Sequence, residues 1–316
     1  MPRFVEMAQK AKGKSPKMKK AAVIPIVLAT VFWGFIGYFS TTMSEAGMSV
    51  PQRLSARMTF AALALVAATL FSNPKKGYKE SLADLGKLFL CGTITLTVNN
   101  MFYFNAIERC GMSVAAVLMY TSPIFVMIMS AIVYKEKVTM QKLAALAVTF
   151  AGCVLVSISN SRFHADIAGI GCGIASGFTY ALYSIFANDL LKRNSSTTVV
   201  MYTYISAAVS SYFIVPPTET FKIMTESNMT VYAILFGVIC SALAHGLYSY
   251  GMKYTETSVA AILATLELVM ASIVGFIAFN QFLAWYNYIG IVLVMAATVI
   301  LNIKPWGKKA EIAKTE

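Results

Sequence analysis

The stretch that decides the fold is written twice. Residues 113–123 read SVAAVLMYTSP, and residues 258–268, displaced by 145 positions, read SVAAILATLEL. The copies share their small and apolar positions but differ where Ser122 of the first is replaced by Glu267 of the second. The same displacement pairs Asn100 with His245 and Tyr103 with Tyr248, so the repeat reaches beyond the phrase itself.

The sequence around the two phrases is too apolar for a soluble domain. Of 316 residues, 58% are hydrophobic and only 13% are charged, whereas soluble domains average about 45–50% and 25%. A bilayer span needs about 20 mostly apolar residues, and ten such runs predict an all-α integral membrane protein with ten transmembrane helices. The predicted spans are 22–43, 52–71, 85–107, 112–134, 140–158, 168–190, 198–217, 229–251, 257–280 and 284–303.

The repeated phrase forms part of the fourth of five spans in each half. Because five is odd, the second half enters the bilayer upside down, so the sequence predicts two inverted five-helix repeats, 22–158 and 168–303, around a central cavity. The flanking tails are 1–21 and 304–316. Halves related in this way suit alternating access.

Duplication retained for packing alone is the alternative. A stripe of small residues fits it, because Gly169, Gly173 and Gly177 recur every fourth residue of the sixth span and allow close helix approach. Packing does not account for ionisable groups inside the spans.

The placement of charge predicts the topology. The chain carries a net charge of +12, and in the ten-span map most of the basic residues fall in the tails and in alternate connections. Positive loops stay cytoplasmic, so both termini are predicted in the cytoplasm of a plasma-membrane protein, with the lipid bilayer and not nucleic acid as the partner. Contact of the lysine-rich tail with anionic lipid or nucleic acid is the alternative.

Neither a metal nor a cofactor is predicted. The five cysteines lie in or at the edges of spans without a CxxC pair and are interpreted as small packing residues. His245 is the one histidine within a predicted span, and a lone histidine makes a poor metal site.

Glu267 and His245 are the predicted coupling residues. A charge at the centre of a span costs about 2.5–3.5 kcal/mol, so Glu267 is expected to face a cavity or a partner. It is predicted to carry a proton reversibly or to pair with a substrate ammonium, and the alternative is a neutral carboxyl group bonded between helices. His245 is predicted to line the cavity and to relay protons, and packing is its alternative.

A set of aromatic and polar side chains is predicted to surround the substrate. On the sixth span, Tyr180 and Tyr183 share one helical face, and such aromatic walls favour flat or amphipathic solutes. Pro123 is expected to free the carbonyl of Met119 inside the fourth span, or merely to kink it. The predicted substrate-binding residues are Trp33, Asn100, Tyr103, Tyr120, Pro123, Tyr180, Tyr183, His245, Tyr248 and Glu267.

The two halves resemble EamA repeats of the drug/metabolite transporter superfamily over about residues 22–303. The features that carry the resemblance are FWGFIGYFS around Trp33, Arg57 in the second span, Tyr103 and Ala106 before SVAAVL, Ser122-Pro123 and Glu136. The second half departs from the pattern, with Glu267-Leu268 in place of Glu-Pro and Asn280-Gln281 in place of Gly-Glu.

These features predict a secondary transporter of a small metabolite, such as an amino acid or another amphipathic or aromatic solute. The chain lacks a Walker-type phosphate loop, so a proton or ion gradient, or passive exchange, is the expected driver, and the EamA resemblance implies efflux. The nearly apolar fifth and tenth spans are candidates for a homodimer seam. The alternatives are a membrane-embedded enzyme acting on a lipid or small molecule, for which the sequence offers no cluster of acid, base or metal ligands, and a receptor.

Overall fold

The computed structural model describes residues 16–72, 82–158 and 166–302, and across these ranges all regular structure is helical. The helices are numbered in chain order, with two π-helical segments named π1 and π2. They are α1 (Pro16–Gly34), α2 (Ile36–Glu45), α3 (Val50–Ser72), α4 (Leu82–Gly92), π1 (Thr93–Val98), α5 (Asn99–Cys110), α6 (Met112–Met119), α7 (Ser122–Tyr134), α8 (Met140–Ser157), α9 (Ile167–Leu191), α10 (Ser196–Ser211), α11 (Pro217–Glu226), α12 (Thr230–Gly237), π2 (Val238–Leu243), α13 (Ala244–Met252), α14 (Thr257–Ala264), α15 (Leu266–Phe279) and α16 (Trp285–Asn302).

Within the described residues, seven helical stretches are long and apolar enough to cross a membrane. They are Val23–Glu45, Val50–Phe71, Met112–Tyr134, Met140–Ser157, Ile167–Leu191, Thr230–Met252 and Thr257–Phe279. Helices also cover the predicted span 85–107, most of 198–217 and most of 284–303, but they are not among these seven. A multi-pass membrane protein therefore follows from length and hydropathy, and the count of ten spans stays a prediction.

The backbone repeats its irregularities at the displacement of 145 residues. The π-helical segments π1 and π2, the short helices α6 and α14, and the closing helices α8 and α16 all start at equivalent positions. Lys135, with φ 53° and ψ 34°, ends α7 in the left-handed conformation, and Asn280, with φ 50° and ψ 34°, ends α15 in the same way. Duplication therefore extends from the apolar phrase to the backbone geometry.

The predicted fourth and ninth spans are both interrupted at their centres. The helix breaks at Tyr120 and Thr121 in the first copy and at Thr265 in the second, although only the first copy has a proline. Pro123 lies in the first turn of α7, where a helix tolerates proline, and not in the body of a continuous helix as predicted. The interruption belongs to the repeated backbone and does not require Pro123.

The packing between the two halves is reciprocal: a contact made by a helix of one half is repeated by its counterpart in the other. Helix α1 packs on α13 and α15, and its counterpart α9 packs on α5 and α7; α3 packs on α12, as α10 packs on α4. The pairs α3 with α10 and α8 with α16 join equivalent helices directly. This reciprocity makes one interior from elements of both halves.

The predicted glycine stripe is confirmed as a close-approach surface of α9. A Cβ on Gly173 would lie 2.7 Å from the Leu118 Cβ, and one on Gly177 would lie 2.9 Å from the Leu118 carbonyl oxygen and 3.2 Å from that of Met119. The Met119 carbonyl predicted to be freed for substrate therefore lies against α9.

Some predicted boundaries differ from the structure. Helix α1 begins at Pro16, inside the predicted tail, and the first span breaks after Gly34. The span predicted at 198–217 ends at Ser211, because Pro216 and Pro217 cannot continue a hydrogen-bonded helix; the chain instead starts the amphipathic helix α11, which the hydropathy pattern did not predict. The tail 304–316 lies outside the described residues.

Candidate functional site

The histidine cluster consists of Trp33, Tyr183, Tyr204, His245 and Tyr248. His245 follows π2 directly, at the start of α13, and its side chain is buried. Its Nδ1 lies 3.2 Å from the Trp33 Nε1 and 2.8 Å from the Tyr204 hydroxyl. Both halves contribute, since Trp33 lies on α1 and Tyr204 on α10.

These contacts determine the tautomer of the neutral His245 ring. An indole N–H can only donate, so the Nδ1 of His245 accepts the bond from Trp33 and, in the neutral ring, the proton resides on Nε2. A proton relay through Nδ1 would first have to break the bond from Trp33.

Hydroxyl pairs surround the histidine cluster. The Tyr183 hydroxyl lies 2.8 Å from the Ser249 Oγ, and the Tyr248 hydroxyl lies 3.1 Å from the Ser184 Oγ. The cavity among these side chains measures about 20 Å³, which suffices for about one water molecule. In this conformation aromatic side chains fill the space, so the open hollow predicted beside His245 is not present there.

The glutamate cluster consists of Tyr103, Tyr120, Tyr180 and Glu267. The Tyr120 hydroxyl donates to the Glu267 Oε1 at 3.2 Å, and Tyr103 and Tyr180 lie within electrostatic range of the same carboxyl group. All four side chains keep part of their surface accessible although protein atoms surround them. The carboxyl group is thus enclosed by tyrosines without being fully buried.

Arg57 of α3 is a candidate site residue that the predicted set omitted. Its Nε donates to the Ser241 Oγ at 2.6 Å, and its guanidinium lies 5.1 Å from the centre of the Phe236 ring. The group is also within electrostatic range of His245 and Glu267. The sequence contains a signal for this residue, because a basic side chain inside a predicted span indicates a functional site by default.

Eight of the ten predicted substrate-binding residues fall in these two clusters, and Asn100 and Pro123 do not. The Asn100 Nδ2 donates to the Leu96 carbonyl one turn earlier, in π1. Its neighbour Asn99 crosses to the second half instead, donating to the Ser176 carbonyl at 2.7 Å and to the Thr179 Oγ1 at 3.2 Å. Pro123 is buried at the start of α7. The asparagine that contacts the second half is therefore Asn99, next to the Asn100 that the repeat pairs with His245.

At one end of the interior, a polar latch connects the two halves through Glu136, Lys142, Glu256, Thr257 and Ser258. The Glu136 carboxylate accepts from the backbone N–H groups of Thr257 and Ser258 at 2.7 and 3.3 Å and from the Ser258 hydroxyl at 2.6 Å. It thereby caps α14 from the opposite half, where an anion is favoured by the helix dipole.

Lys142 holds the carboxylates of the latch together. Its Nζ lies 2.8 Å from the Glu256 carboxylate, 3.7 Å from that of Glu136 and 2.9 Å from the Lys137 carbonyl. Burial alone raises the pKa of Glu136, but the bonds from Ser258 and Thr257 and the charge of Lys142 outweigh it, so the pKa lies below its ordinary value. The carboxylate is therefore ionised at neutral pH.

The opposite end carries the same backbone without the latch. Gln281 occupies the position equivalent to Glu136, but its side chain is exposed and its amide lies against Gly275. Helix α14 packs on α7 at the latched end, whereas the equivalent helices α6 and α15 make at most marginal contact in the described part of the chain. The latch thus accompanies contact between α7 and α14 at one end, and among the described residues the equivalent pair of helices at the other end lacks such a link.

The described residues contain no group of three or more His, Cys, Asp or Glu side chains placed to hold a metal ion. The ionisable groups in the interior are instead spread among tyrosines and serines, as in a site that binds a solute through hydrogen bonds and aromatic contact.

A multi-pass helical bundle with two related halves and a polar interior defines the class of membrane transport proteins. The model of the EamA-like transporter family matches residues 20–158 and 167–303. The chain belongs to this family, and it is a membrane transporter.

Relatives of known sequence agree with this assignment. An uncharacterized transporter of Archaeoglobus fulgidus is 30% identical over 63% of this chain and 70% of its own length. An uncharacterized transporter of Bacillus subtilis is 23% identical over 93% of each chain. A protein of Streptantibioticus cattleyicolor named "Probable terminal-alkyne amino-acid exporter" is 22% identical over 93% of this chain and 97% of its own.

A solved crystal structure shares the fold. It superposes with a TM-score of 0.71 at 16% sequence identity, covering 90% of this chain and 96% of the other. At this identity the likeness concerns the fold alone.

Proposed function

We propose that the protein is a secondary transporter that exports a small metabolite across the plasma membrane by alternating access. The observation that carries this proposal is that Arg57 of one half lies within electrostatic range of His245 and Glu267 of the other, beside partly accessible tyrosines in an otherwise apolar bundle. A bundle with only a structural role would be more stable without such groups.

Inverted repeats are part of the proposal. The repeated backbone and the reciprocal packing of the halves support it. With five spans in each half, the second half runs through the bilayer in the opposite direction. When each half adopts the conformation of the other, the interior opens to the opposite side of the membrane.

The two ends of the interior correspond to the two gates of this cycle. With both termini cytoplasmic, as the basic loops predict, the latch lies on the cytoplasmic side and the end at Gln281 faces outward. The described conformation is then closed to the cytoplasm, and the latch must open for solute to enter from that side.

The proposed substrate is an amino acid or another amphipathic or aromatic solute. The tyrosines of both clusters and Trp33 offer flat apolar surface with hydroxyl donors, which suits a solute with a polar headgroup and a flat side chain. The name of the Streptantibioticus cattleyicolor relative is compatible with this class. Proton coupling through Glu267 and His245, and a homodimer through α8 and α16, remain predictions.

Counterflow into proteoliposomes tests the proposal. The purified protein is reconstituted with an excess of unlabelled amino acid inside, and the uptake of labelled amino acid is followed over a panel of polar, aliphatic and aromatic members. We expect uptake of at least one member, a large loss in Glu267→Gln, and retention in Ser122→Ala, which alters the equivalent position of the first half. Turnover of a lipid without counterflow of any solute would favour the membrane-embedded enzyme instead.

Labelling tests the orientation. Lys192 and Lys222 have exposed side chains and fall on opposite sides of the predicted membrane. A cysteine at Lys192 is expected to react with an impermeant maleimide only from the cytoplasm, and one at Lys222 only from outside. The reverse pattern would place the latch on the outer face.

A further inference from the structure

We propose that Arg57 and Glu267 are the two charged contacts of a site for the zwitterionic headgroup of an α-amino acid, with the carboxylate on Arg57 and the ammonium on Glu267. The inference rests on the proposed transport function and deepens it, because it names the substrate class and gives Arg57 a role in specificity.

The Arg57 guanidinium is held in place but has no anionic partner. Its Nε donates to Ser241, and the Phe236 ring supports it on one side. No carboxylate of the described residues lies within 4.0 Å of it. A guanidinium has five N–H donors in a planar fork that matches a carboxylate with two parallel bonds. Such a group is pre-oriented for an incoming carboxylate.

Glu267 is in the complementary situation. Its hydrogen bond from Tyr120 engages one oxygen, and its side chain keeps part of its surface accessible. Among the described residues no Lys or Arg lies within 4.0 Å of this carboxylate either. The ammonium group of a substrate could therefore serve as the missing cationic partner of Glu267.

The two groups belong to one interior. Arg57 and Glu267 are within electrostatic range of each other without forming an ion pair, and Tyr180 lies within range of both. The charges come from different halves, since Arg57 lies on α3 and Glu267 on α15. Tyr180, Tyr103 and Tyr120 provide aromatic surface beside the headgroup for the substrate side chain.

A zwitterion fits this arrangement better than a simple ion. Two opposite charges left apart in a poorly solvated interior are costly, and a ligand with one charge would neutralise only one of them. The carboxylate and ammonium of an α-amino acid are joined through one carbon atom, so one small ligand presents a partner for each residue.

Binding of matched probes tests the inference on the purified full-length protein. The probes are phenylalanine, phenethylamine, which lacks the carboxylate, and 3-phenylpropionate, which lacks the ammonium; leucine, isoamylamine and 4-methylvalerate form a second set. We expect the better-bound amino acid to bind at least about 10-fold more tightly than either of its analogues, since each analogue loses one charged contact.

Two variants test which residue binds the carboxylate and which binds the ammonium. Arg57→Gln should weaken amino-acid binding about 10-fold or more and leave binding of the amine analogue unchanged. Glu267→Gln should weaken amino-acid binding by a similar factor and leave binding of the acid analogue unchanged. Arg57→Lys keeps the charge and should lose less than Arg57→Gln. Size-exclusion elution and the melting temperature separate these losses from misfolding, and Arg57→Lys serves as the test if Arg57→Gln does not fold.

Equal binding of an amino acid and its two analogues, or an equal loss for all probes in both variants, would overturn the inference. Counterflow of a solute that bears one charge or none, without counterflow of amino acids, would do so as well and would leave the transport function standing. Absence of counterflow for every solute would count against the transport function itself.

Discussion

The latched and unlatched ends of the molecule are built on the same backbone. At the latched end, Glu136 follows a left-handed residue, reaches the other half and caps α14. At the unlatched end, Gln281 follows an equivalent left-handed residue but stays with its own half. Equivalent helix starts are available to both, at Thr257 and Met112. The difference teaches that duplication supplied the scaffold, whereas the side chain that follows the left-handed residue decides whether that end caps a helix of the other half.

The lysine of the latch and its counterpart make different contacts on the same backbone. Lys142 links two carboxylates, but the equivalent Asn287 donates to the Leu155, Val156 and Ile158 carbonyls and so binds α16 to the end of α8. Both residues join the two halves, Lys142 through ion pairs at the latched end and Asn287 through amide hydrogen bonds between the start of α16 and the end of α8. Substitutions at these positions can test whether the latched end is the gate.

Lys142→Ala should have the largest effect on the latched end. It leaves Glu136 and Glu256 without their cation, and removal of one partner from a largely buried ion network costs about 3 kcal/mol. A cysteine at Ala261, a buried position one turn beyond Ser258, reports opening in a background without the five native cysteines. Its maleimide labelling rate from the latched side is expected to rise roughly 100-fold. Lys137→Ala, in the same connection, should leave the rate unchanged.

Glu136→Gln should open the latched end to a smaller extent. The amide can still accept hydrogen bonds but loses the charge that strengthens the cap and the attraction to Lys142, a loss of about 2 kcal/mol. Labelling at Ala261→Cys should then increase roughly 30-fold. Glu256→Gln is the matched control with a half-exposed carboxylate, and its effect should be clearly smaller. An equal response of the two variants would remove Glu136 from the centre of the latch.

Gln281→Glu should bring the unlatched end closer to the latched one. The new carboxylate can cap α6 at Met112 and Ser113 as Glu136 caps α14, and such a cap contributes about 1 kcal/mol. Labelling of a cysteine at Ala116, the counterpart of Ala261, should slow roughly fivefold from that side. Gln281→Ala should not slow it. If Gln281→Glu has no effect, the ends differ in more than this one side chain.

A change of pH should have the smallest effect on the opening of the latched end. Because the pKa of Glu136 is depressed, its contribution to closure is fully present above the ordinary glutamate value of about 4.3 and is lost only as the pH falls through the lower value in the folded state. The ratio of Ala261→Cys labelling rates with and without Glu136→Gln should therefore stay constant between roughly pH 8 and pH 6. A falling ratio in that window would mean that Glu136 is not ionised in the latch.

Parts of the candidate site were predictable from sequence because their signals are local. Glu267 and His245 stand out as ionisable groups in apolar runs, and the tyrosines beside them follow helical periodicity. Asn99 and Pro123 show where this reasoning fails. Asn99, and not its neighbour Asn100, contacts the second half, and the break before Pro123 recurs at Thr265 without a proline.

The sequence by itself determined the membrane setting, the helical class and the existence of two related halves, because the length of apolar runs and a repeat at constant displacement are properties of the linear chain. Only the tertiary structure decided that His245 meets Trp33 and Tyr204, that Arg57 shares an interior with Glu267, and that Glu136 rather than Gln281 joins the halves. Those contacts depend on helix rotation and on packing between residues far apart in the chain, which hydropathy does not encode.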